Sequence, residues 1–155
     1  MNAAWGGLYD GNKVELCLSA GHKTTKNIQA TGAFTVSFAD AANVVASDYV
    51  GLASANTEPK KMEKSGFHLT KSQFVNAPLI DELPVAMECK LIKINEDGNV
   101  IGEIVNVSAD ESVLGEDGNI DFSKFRPISF EPVHNGYHVL GERVGNAFQD
   151  GAALK

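Results

Sequence analysis

Hydrophobic and polar residues alternate along several short segments of this chain, which predicts strands with one buried face. In residues 13–20, KVELCLSA, the side chains of Val14, Leu16 and Leu18 share one face. Residues 33–40, AFTVSFAD, repeat the pattern with β-branched and aromatic residues. Two longer segments, VAMECKLIKI and VIGEIVNVSA, flank the turn sequence NEDGN and together predict a β-hairpin. Strands therefore dominate the predicted structure.

Two short helices are predicted between these strands. In the first, Thr24 is a typical N-cap residue, and Gly32 suits the left-handed position after the last turn. In the second, residues 41–54, apolar residues mostly recur at three- and four-residue spacing, and either Asp40 or Asn43 caps the helix.

A third short helix is predicted over residues 56–66, NTEPKKMEKSG. Pro59 is expected in its first turn, Gly66 after its last turn, and the charged side chains are expected to face water. A loop closed by two prolines follows. Near the end of the chain, Asn135 and Gly136 predict a turn between one or two short strands, and the last dozen residues are expected to form a tail.

The predicted fold class is mainly β: one small β-barrel with helical excursions, as a single domain over residues 1–155. A chain of 155 residues is long enough for one core and too short to divide comfortably into two. Its composition, 43% hydrophobic and 21% charged, is typical of globular proteins.

Charge argues against two classes of partner, and the cysteines indicate the compartment. The net charge of −7 argues against nucleic acid or an anionic membrane surface as a partner. No apolar run approaches the roughly 20 residues that span a bilayer. Cys17 and Cys89 lie in apolar alternating segments without metal-ligand spacing, and no signal peptide precedes them, which favours a reducing cytoplasm.

The sequence contains few catalytic motifs. The four histidines are scattered, and no metal-binding, nucleophile-elbow, dinucleotide or P-loop motif occurs. We therefore predict no catalytic residue and no metal site. The segment SAGHKTTKN favours an anion instead, because it places cations and hydroxyls just before a helix N-terminus. The alternative is that Thr24 caps the helix while Lys23 and Lys26 are solvated.

Several segments in a fixed order carry a family resemblance. They are NAAWGG, then S-x-x-H-K-T-x-x-N-I-x-x-T-G-x-F-x-V-S-F, then KKMEKSGF, APLIDELPVAMECK and VIGEIVNV. In order, spacing and residue type, the chain resembles the flavin reductase-like, FMN-binding split-barrel family, including its flavoredoxin-type members, over most of residues 1–141. The resemblance implies an FMN-binding split barrel.

The resemblance also implies two sets of FMN-binding residues. Residues of the first strand would line the flavin, where small side chains let the backbone approach it closely: Asn2, Ala3, Ala4 and Trp5. Core packing is the alternative for Trp5. The phosphate end and further polar contacts would come from Ser19, His22, Lys23, Thr24, Ser54 and Lys60 or Lys61. Many relatives have an arginine near position 22 or 23; it is absent here, so which cation contacts the phosphate stays open, and solvation is the alternative for at least one later lysine.

The activity implied by the resemblance is electron transfer from NAD(P)H through non-covalently bound FMN to an acceptor. The implied assembly is a homodimer with the flavin near the subunit interface. Two alternatives are an FMN-binding electron carrier without nicotinamide activity and a structural or ligand-binding barrel that binds no FMN. Relatives usually have a further strand before NAAW; either this chain starts late or its barrel closes without that strand, and a dimer partner would then cover the open edge.

Overall fold

The computed structural model describes residues 3–155, which form nine strands and three α-helices. The strands are β1 (Trp5–Asp10), β2 (Lys13–Cys17), β3 (Ala33–Ser37), β4 (Leu69–Lys71), β5 (Pro78–Ile80), β6 (Val85–Ile94), β7 (Val100–Ala109), β8 (Ile128–Glu131) and β9 (Gly136–Val139). The helices are α1 (Lys23–Thr31), α2 (Val44–Leu52) and α3 (Lys61–Ser65). Short 3-10 turns cover Glu111–Val113 and Asp150–Leu154. The mainly β fold class is confirmed.

Five antiparallel strands form the main sheet, in the order β1-β2-β7-β6-β3. The predicted hairpin of β6 and β7 is confirmed and provides its two longest strands. The two-residue periodicity of β2 is also confirmed, since Val14 and Leu16 are buried while Glu15 and Cys17 are more accessible. The alternation of the sequence therefore sets which face of the sheet meets the core.

The main core lies on this buried face and is covered by α1. Its members come from four strands, the residue after β2 and the helix: Val14, Leu16, Leu18, Ile28, Phe34, Cys89 and Val100. Gly102 of β7 leaves room for the ring of Phe34, because a Cβ at position 102 would lie 2.4 Å from Cζ of that ring. Close packing of this kind fixes β3 and β7 relative to each other within the sheet.

Two small hairpins, each a separate two-stranded sheet, are attached near β3. The β4–β5 hairpin, which the sequence analysis did not predict, is joined to β3 by a 2.6 Å hydrogen bond from the Thr35 hydroxyl to the Pro78 carbonyl. The β8–β9 hairpin forms around the predicted turn region, where Asn135 has a positive φ of 55°. It is attached to the chain after β3 by hydrogen bonds that include Ile128 N–H to the Ala39 carbonyl at 3.1 Å.

The barrel is closed by side chains and not by a continuous ladder. Among the described residues, β1 pairs only with β2, and β8 pairs only with β9 and with the chain after β3. Trp5 of β1 and Phe130 of β8 meet across this opening in an edge-to-face contact, with ring centroids 5.6 Å apart. The strands therefore form a split barrel.

None of the helices in residues 3–155 is long and apolar enough to cross a membrane.

Two details of the helix ends differ from the predictions. Helix α1 begins at Lys23 with His22 as its N-cap, so the prediction of Thr24 as N-cap is wrong. Pro59 lies before Lys60, the N-cap of α3, and not in the first turn. The C-terminal glycine predictions are confirmed, since the residues after α1 and α3 are both left-handed.

Candidate functional site

The start of α1 has unsatisfied backbone donors. His22 makes no side-chain capping hydrogen bond, and the first turn contains no acidic residue. The first helical N–H to find an acceptor is that of Lys26, 3.3 Å from the His22 carbonyl. Within residues 3–155, the N–H groups of Lys23, Thr24 and Thr25 therefore have no acceptor. Such an N-terminus binds anions, because its donors and dipole both favour negative charge.

The loop before α1 is folded back onto this first turn. The Thr25 side chain is buried, and its hydroxyl donates to the Ser19 carbonyl at 2.7 Å. The His22 N–H donates to the same carbonyl at 3.1 Å, and the Gly21 N–H to the Ser19 hydroxyl at 3.4 Å. These bonds hold Ser19 beside the uncapped turn, while the side chains of His22 and Lys23 stay exposed.

A second loop, residues 53–60, is attached to the first. The Asn56 side-chain amide donates to the Gly21 carbonyl at 3.0 Å. Ser54 lies two residues before Asn56 and stabilises this loop, because its carbonyl accepts from Glu58 N–H at 2.8 Å and its hydroxyl from Asn56 N–H at 3.3 Å. The structure thus joins the loop that contains Ser54 to the loop that precedes α1, although the two segments are far apart in sequence.

The two lysines that follow this loop differ in environment. The Lys60 side chain is 68% exposed, and its ammonium lies 3.7 Å from a carboxylate oxygen of Glu63. Lys61 is only 3% exposed, and burial lowers the pKa of its ammonium. The prediction that the charged side chains of this helix face water is therefore wrong for Lys61 and correct for Lys60.

The chain before and into β1 runs along the same end of the barrel. Trp5 pairs with Cys17 of β2, so Ala3 and Ala4 extend toward the end of β2 that leads to Ser19. The last turn of α2 approaches them closely, since a Cβ on Gly51 would lie 3.0 Å from the Ala3 Cβ. Asn2 lies outside the described residues. The predicted first-strand and phosphate-end residues thus meet at one end of the barrel.

Trp5 is not a core residue, because it is 65% exposed. Its ring contacts that of Phe130, and the Phe130 ring contacts that of Tyr137 at a centroid distance of 5.8 Å, so the three rings form a row. The Tyr137 hydroxyl donates to a carboxylate oxygen of Asp48 at 2.7 Å, and this bond raises the pKa of Tyr137. The row leads from the first strand to α2.

Sequence reasoning missed Asn56, Phe130 and Tyr137 as members of this region. Nothing in the local sequence around Asn56 indicates that its partner lies 35 residues earlier. The predicted Asn135–Gly136 turn placed Phe130 and Tyr137 on facing strands, but a two-residue turn there would pair His134 with Tyr137. The loop instead covers residues 132–135, and this longer loop pairs Phe130 with Tyr137.

The described residues offer little covalent or metal chemistry of their own. Within residues 3–155, no three His, Cys, Asp or Glu side chains are placed to hold a metal ion. Burial raises the pKa of the Cys89 thiol to about 12, so this thiol is protonated at neutral pH and is a poor nucleophile. What the arrangement provides is an uncapped helix N-terminus, a first strand that begins with small residues, and exposed aromatic rings.

Comparisons with known proteins agree with this geometry. The sequence model of the flavin reductase like domain family matches residues 11–129. The flavoredoxin of Desulfovibrio vulgaris (Miyazaki F) is 36% identical, with a TM-score of 0.91 over 97% of this chain and 83% of that one. The flavoredoxin of Methanosarcina acetivorans is 26% identical, with a TM-score of 0.87 over 97% and 82%.

Curated sequences give shorter matches. An uncharacterized protein of Aquifex aeolicus is 35% identical over 74 residues, which is 46% of this chain and 38% of that protein. The chain spans 38% of the length of that protein and 60% of the length of a second curated relative, from Halalkalibacterium halodurans.

Proposed function

Because the chain belongs to the flavin reductase-like domain family, we propose that it binds FMN non-covalently and acts as a flavin-dependent oxidoreductase. The uncapped start of α1, and the hydrogen bond that joins the loop before it to the second loop, carry this proposal. The bond runs from the Asn56 side-chain amide to the Gly21 carbonyl and joins the two segments for which the family resemblance implied phosphate contacts.

The first turn of α1 fits a phosphate group. It supplies three N–H groups without an acceptor in the described chain, the Thr24 hydroxyl and the Lys23 ammonium, and it has no carboxylate. On a chain with a net charge of −7, a helix start that lacks acidic residues and bears a lysine is a local site of favourable potential for an anion. Ser19 and His22 would add polar contacts from the loop.

The first strand fits the flat ring of a flavin. Ala3 and Ala4 have side chains small enough for a ring to reach the backbone, and Trp5 presents an exposed aromatic face beside them. Bound FMN would supply the redox chemistry of the reaction. This chain's own residues would bind and orient it, and we assign none of them as a general acid or base.

We further propose NADH or NADPH as the electron donor and a separate redox acceptor, with the protein working in the cytoplasm as a homodimer whose flavin lies near the subunit interface. The high exposure of Trp5 and of the loops at this end of the barrel supports an interface there, since such a site is open on a single copy. Lys60 and Ser54 would then contribute polar contacts at the edge of the site.

An FMN titration followed by flavin fluorescence tests the proposal. Replacing Lys23 and Thr24 together by alanine should weaken FMN binding by about 2 to 4 kcal/mol, or about 30- to 900-fold, because each supplies a charged-type hydrogen bond. The matched control is the double variant Thr70→Ala and Lys71→Ala, which removes the same two residue types from exposed positions of β4 and should leave the affinity unchanged.

Two outcomes would contradict the proposal at different levels. An equal affinity for the α1 and β4 double variants would remove Lys23 and Thr24 from the site. No saturable FMN binding by the unaltered chain at micromolar concentration would reject the cofactor. Bound flavin that neither NADH nor NADPH bleaches would retain the cofactor and reject the nicotinamide donor.

A further inference from the structure

Residues 141–155 form an arm that makes no hydrogen bond to the rest of the described chain. The last backbone hydrogen bond to the barrel runs from the Leu140 N–H to the Pro127 carbonyl at 3.0 Å. Beyond it, the described hydrogen bonds stay within the arm, such as that from Asn146 N–H to an Asp150 carboxylate oxygen at 2.8 Å. All residues of the arm, 141–155, are exposed.

The arm nevertheless has a defined shape and an apolar surface. Asn146 and Asp150 close a turn that places Phe148 at a positive φ of 64°, a conformation that a bulky residue seldom adopts. Val144, Phe148 and Leu154 are 100%, 105% and 93% exposed. Three large apolar side chains held in water on one short segment indicate a surface that packs against something else.

The total surface of the chain supports the same reading. The chain exposes 10129 Å², whereas a compact monomer of 16.5 kDa exposes about 7,500 Å². The excess of about 2,600 Å² matches what each partner buries in a large obligate interface. An excess of this size, with an arm that leaves its own barrel, is typical of a subunit described without its partner.

We propose that residues 141–155 of one copy pack on α2 of a second copy, reciprocally, with Phe148 as the main anchor. Helix α2 fits this role because Val45 and Leu52 are 81% and 79% exposed. Beside it, between α2 and α3, lies a shallow cavity of about 390 Å³ lined mostly by small and apolar residues. Since the last turn of α2 also contacts Ala3, the arm would reach the edge of the partner's candidate flavin site.

This inference rests on the homodimer of the proposed function and names the segment that makes it. Reciprocal exchange gives a closed two-fold assembly in which each arm finds the same surface. As a second consequence of this exchange, residues of both copies would border each flavin site.

Sedimentation equilibrium of the full chain and three variants tests the proposal. We expect a species of twice the 16.5 kDa chain mass, and we expect Val144→Ser with Phe148→Ser to weaken its association at least about 100-fold, because four apolar side chains per dimer lose their contacts. Val45→Ser should also weaken it. The matched control Phe74→Ser removes an aromatic ring that is 58% exposed on another loop and should change the association less than about threefold.

Trypsin cleavage after Arg143 gives a second readout. If the arm packs on a second copy, release of residues 144–155 should slow as protein concentration rises; if it packs on its own barrel, the rate should not depend on concentration. Unchanged dimerisation of the Val144→Ser, Phe148→Ser variant, or a monomeric full chain at 100 µM, would overturn the proposal. Unchanged dimerisation of Val45→Ser would overturn α2 as the receiving face.

FMN titration of the same samples separates this inference from the proposed function. A chain that dimerises through the arm and binds no FMN contradicts the cofactor and leaves the arm in place. A dimer that binds FMN and is indifferent to the arm variants contradicts the arm alone.

Discussion

The main sheet and the rim of the candidate site differ in how far their side chains are buried and their backbone polar groups are paired. In the sheet, the cores of β2, β6 and β7 bury Val14, Cys89, Val100 and Ile101 to 1% exposure or less, and the backbone pairs in regular ladders. At the rim, which we define as residues 3–5, 19–24 and 53–60, nearly every residue is accessible, and the start of α1 keeps open donors.

This difference separates what holds the fold from what the fold offers to a ligand. Burial of apolar area stabilises the sheet without help from any partner. The rim leaves polar groups open to water, which costs little while they are hydrated and provides binding energy when a matched anion replaces the water. Substitutions in the sheet should therefore change stability, and substitutions in the rim should change binding.

The largest effect on stability is expected from Gly102→Ala in the sheet. The added Cβ would lie 2.4 Å from Cζ of the buried Phe34 ring and 3.2 Å from the Lys90 carbonyl, so the ring must move inside a packed core. We expect the free energy of unfolding to fall by about 1 to 3 kcal/mol. Urea unfolding followed by far-UV circular dichroism measures it.

Gly7→Ala is the matched control for this substitution. Gly7 also lies in the main sheet, but a Cβ there would meet nothing within 4 Å, and its φ is not positive. The free energy of unfolding should change by less than about 0.5 kcal/mol. Equal losses for the two variants would show that the packing of Phe34 against Gly102 does not limit stability.

The sheet was predictable from the sequence because its signal is local. Alternation in β2 reflects burial of one face, and Gly98, at a φ of 89°, gives the turn residue of the β6–β7 hairpin directly. The strands β6 and β7 also bury consecutive residues such as Val100 and Ile101, so their apolar character, more than strict alternation, marks them as strands. The β4–β5 hairpin was missed because its strands have three residues each and include Pro78, which weakens any strand pattern.

The rim was less predictable because its geometry depends on contacts between distant segments. Thr24 has the residue type of an N-cap, yet the loop is held by Thr25, whose buried hydroxyl reaches back to Ser19. Lys61 has charged neighbours typical of a solvated helix, and packing of α3 against the rest of the chain buries it nonetheless. Local propensity does not contain the tertiary contacts that decide these positions.

An intermediate effect is expected from Asn56→Ala in the rim. The variant loses the 3.0 Å hydrogen bond to the Gly21 carbonyl that joins the two loops. FMN must then order the second loop on binding, and we expect the affinity to fall by about 1 kcal/mol, or about fivefold. Fluorescence titration measures it, and urea unfolding should show a smaller change than in Gly102→Ala.

Asn119→Ala provides the comparison for Asn56. Its side-chain amide also makes one exposed hydrogen bond of 3.0 Å, to Asp117 in a turn outside the rim. Its FMN affinity should equal that of the unaltered chain. If both asparagine variants bind FMN equally well, the link between the two loops has no part in the site.

The smallest effect is expected from an exposed ion pair that belongs to neither the core nor the rim. His68 donates its backbone N–H to Glu82 at 2.9 Å, and its ring Nδ1 lies 2.6 Å from the other carboxylate oxygen. The hydrogen bond with Glu82 raises the pKa of His68. A raised pKa means that the pair stabilises the fold below the unfolded-state pKa of about 6.5, and that this contribution is lost as the pH rises through the folded-state value.

His68→Gln should therefore lower the melting temperature more at pH 5.5 than at pH 8.5. Both differences should be small, because the pair is exposed to solvent and screened. In a Glu82→Gln background the pH dependence of the difference should disappear, since the carboxylate that raises the pKa is gone. If the difference in melting temperature instead grew with pH, neutral His68 would be the form favoured by folding. A large loss of melting temperature at either pH would mean that this exposed pair contributes substantially to stability. That result would contradict the division between a stabilising sheet and a binding rim.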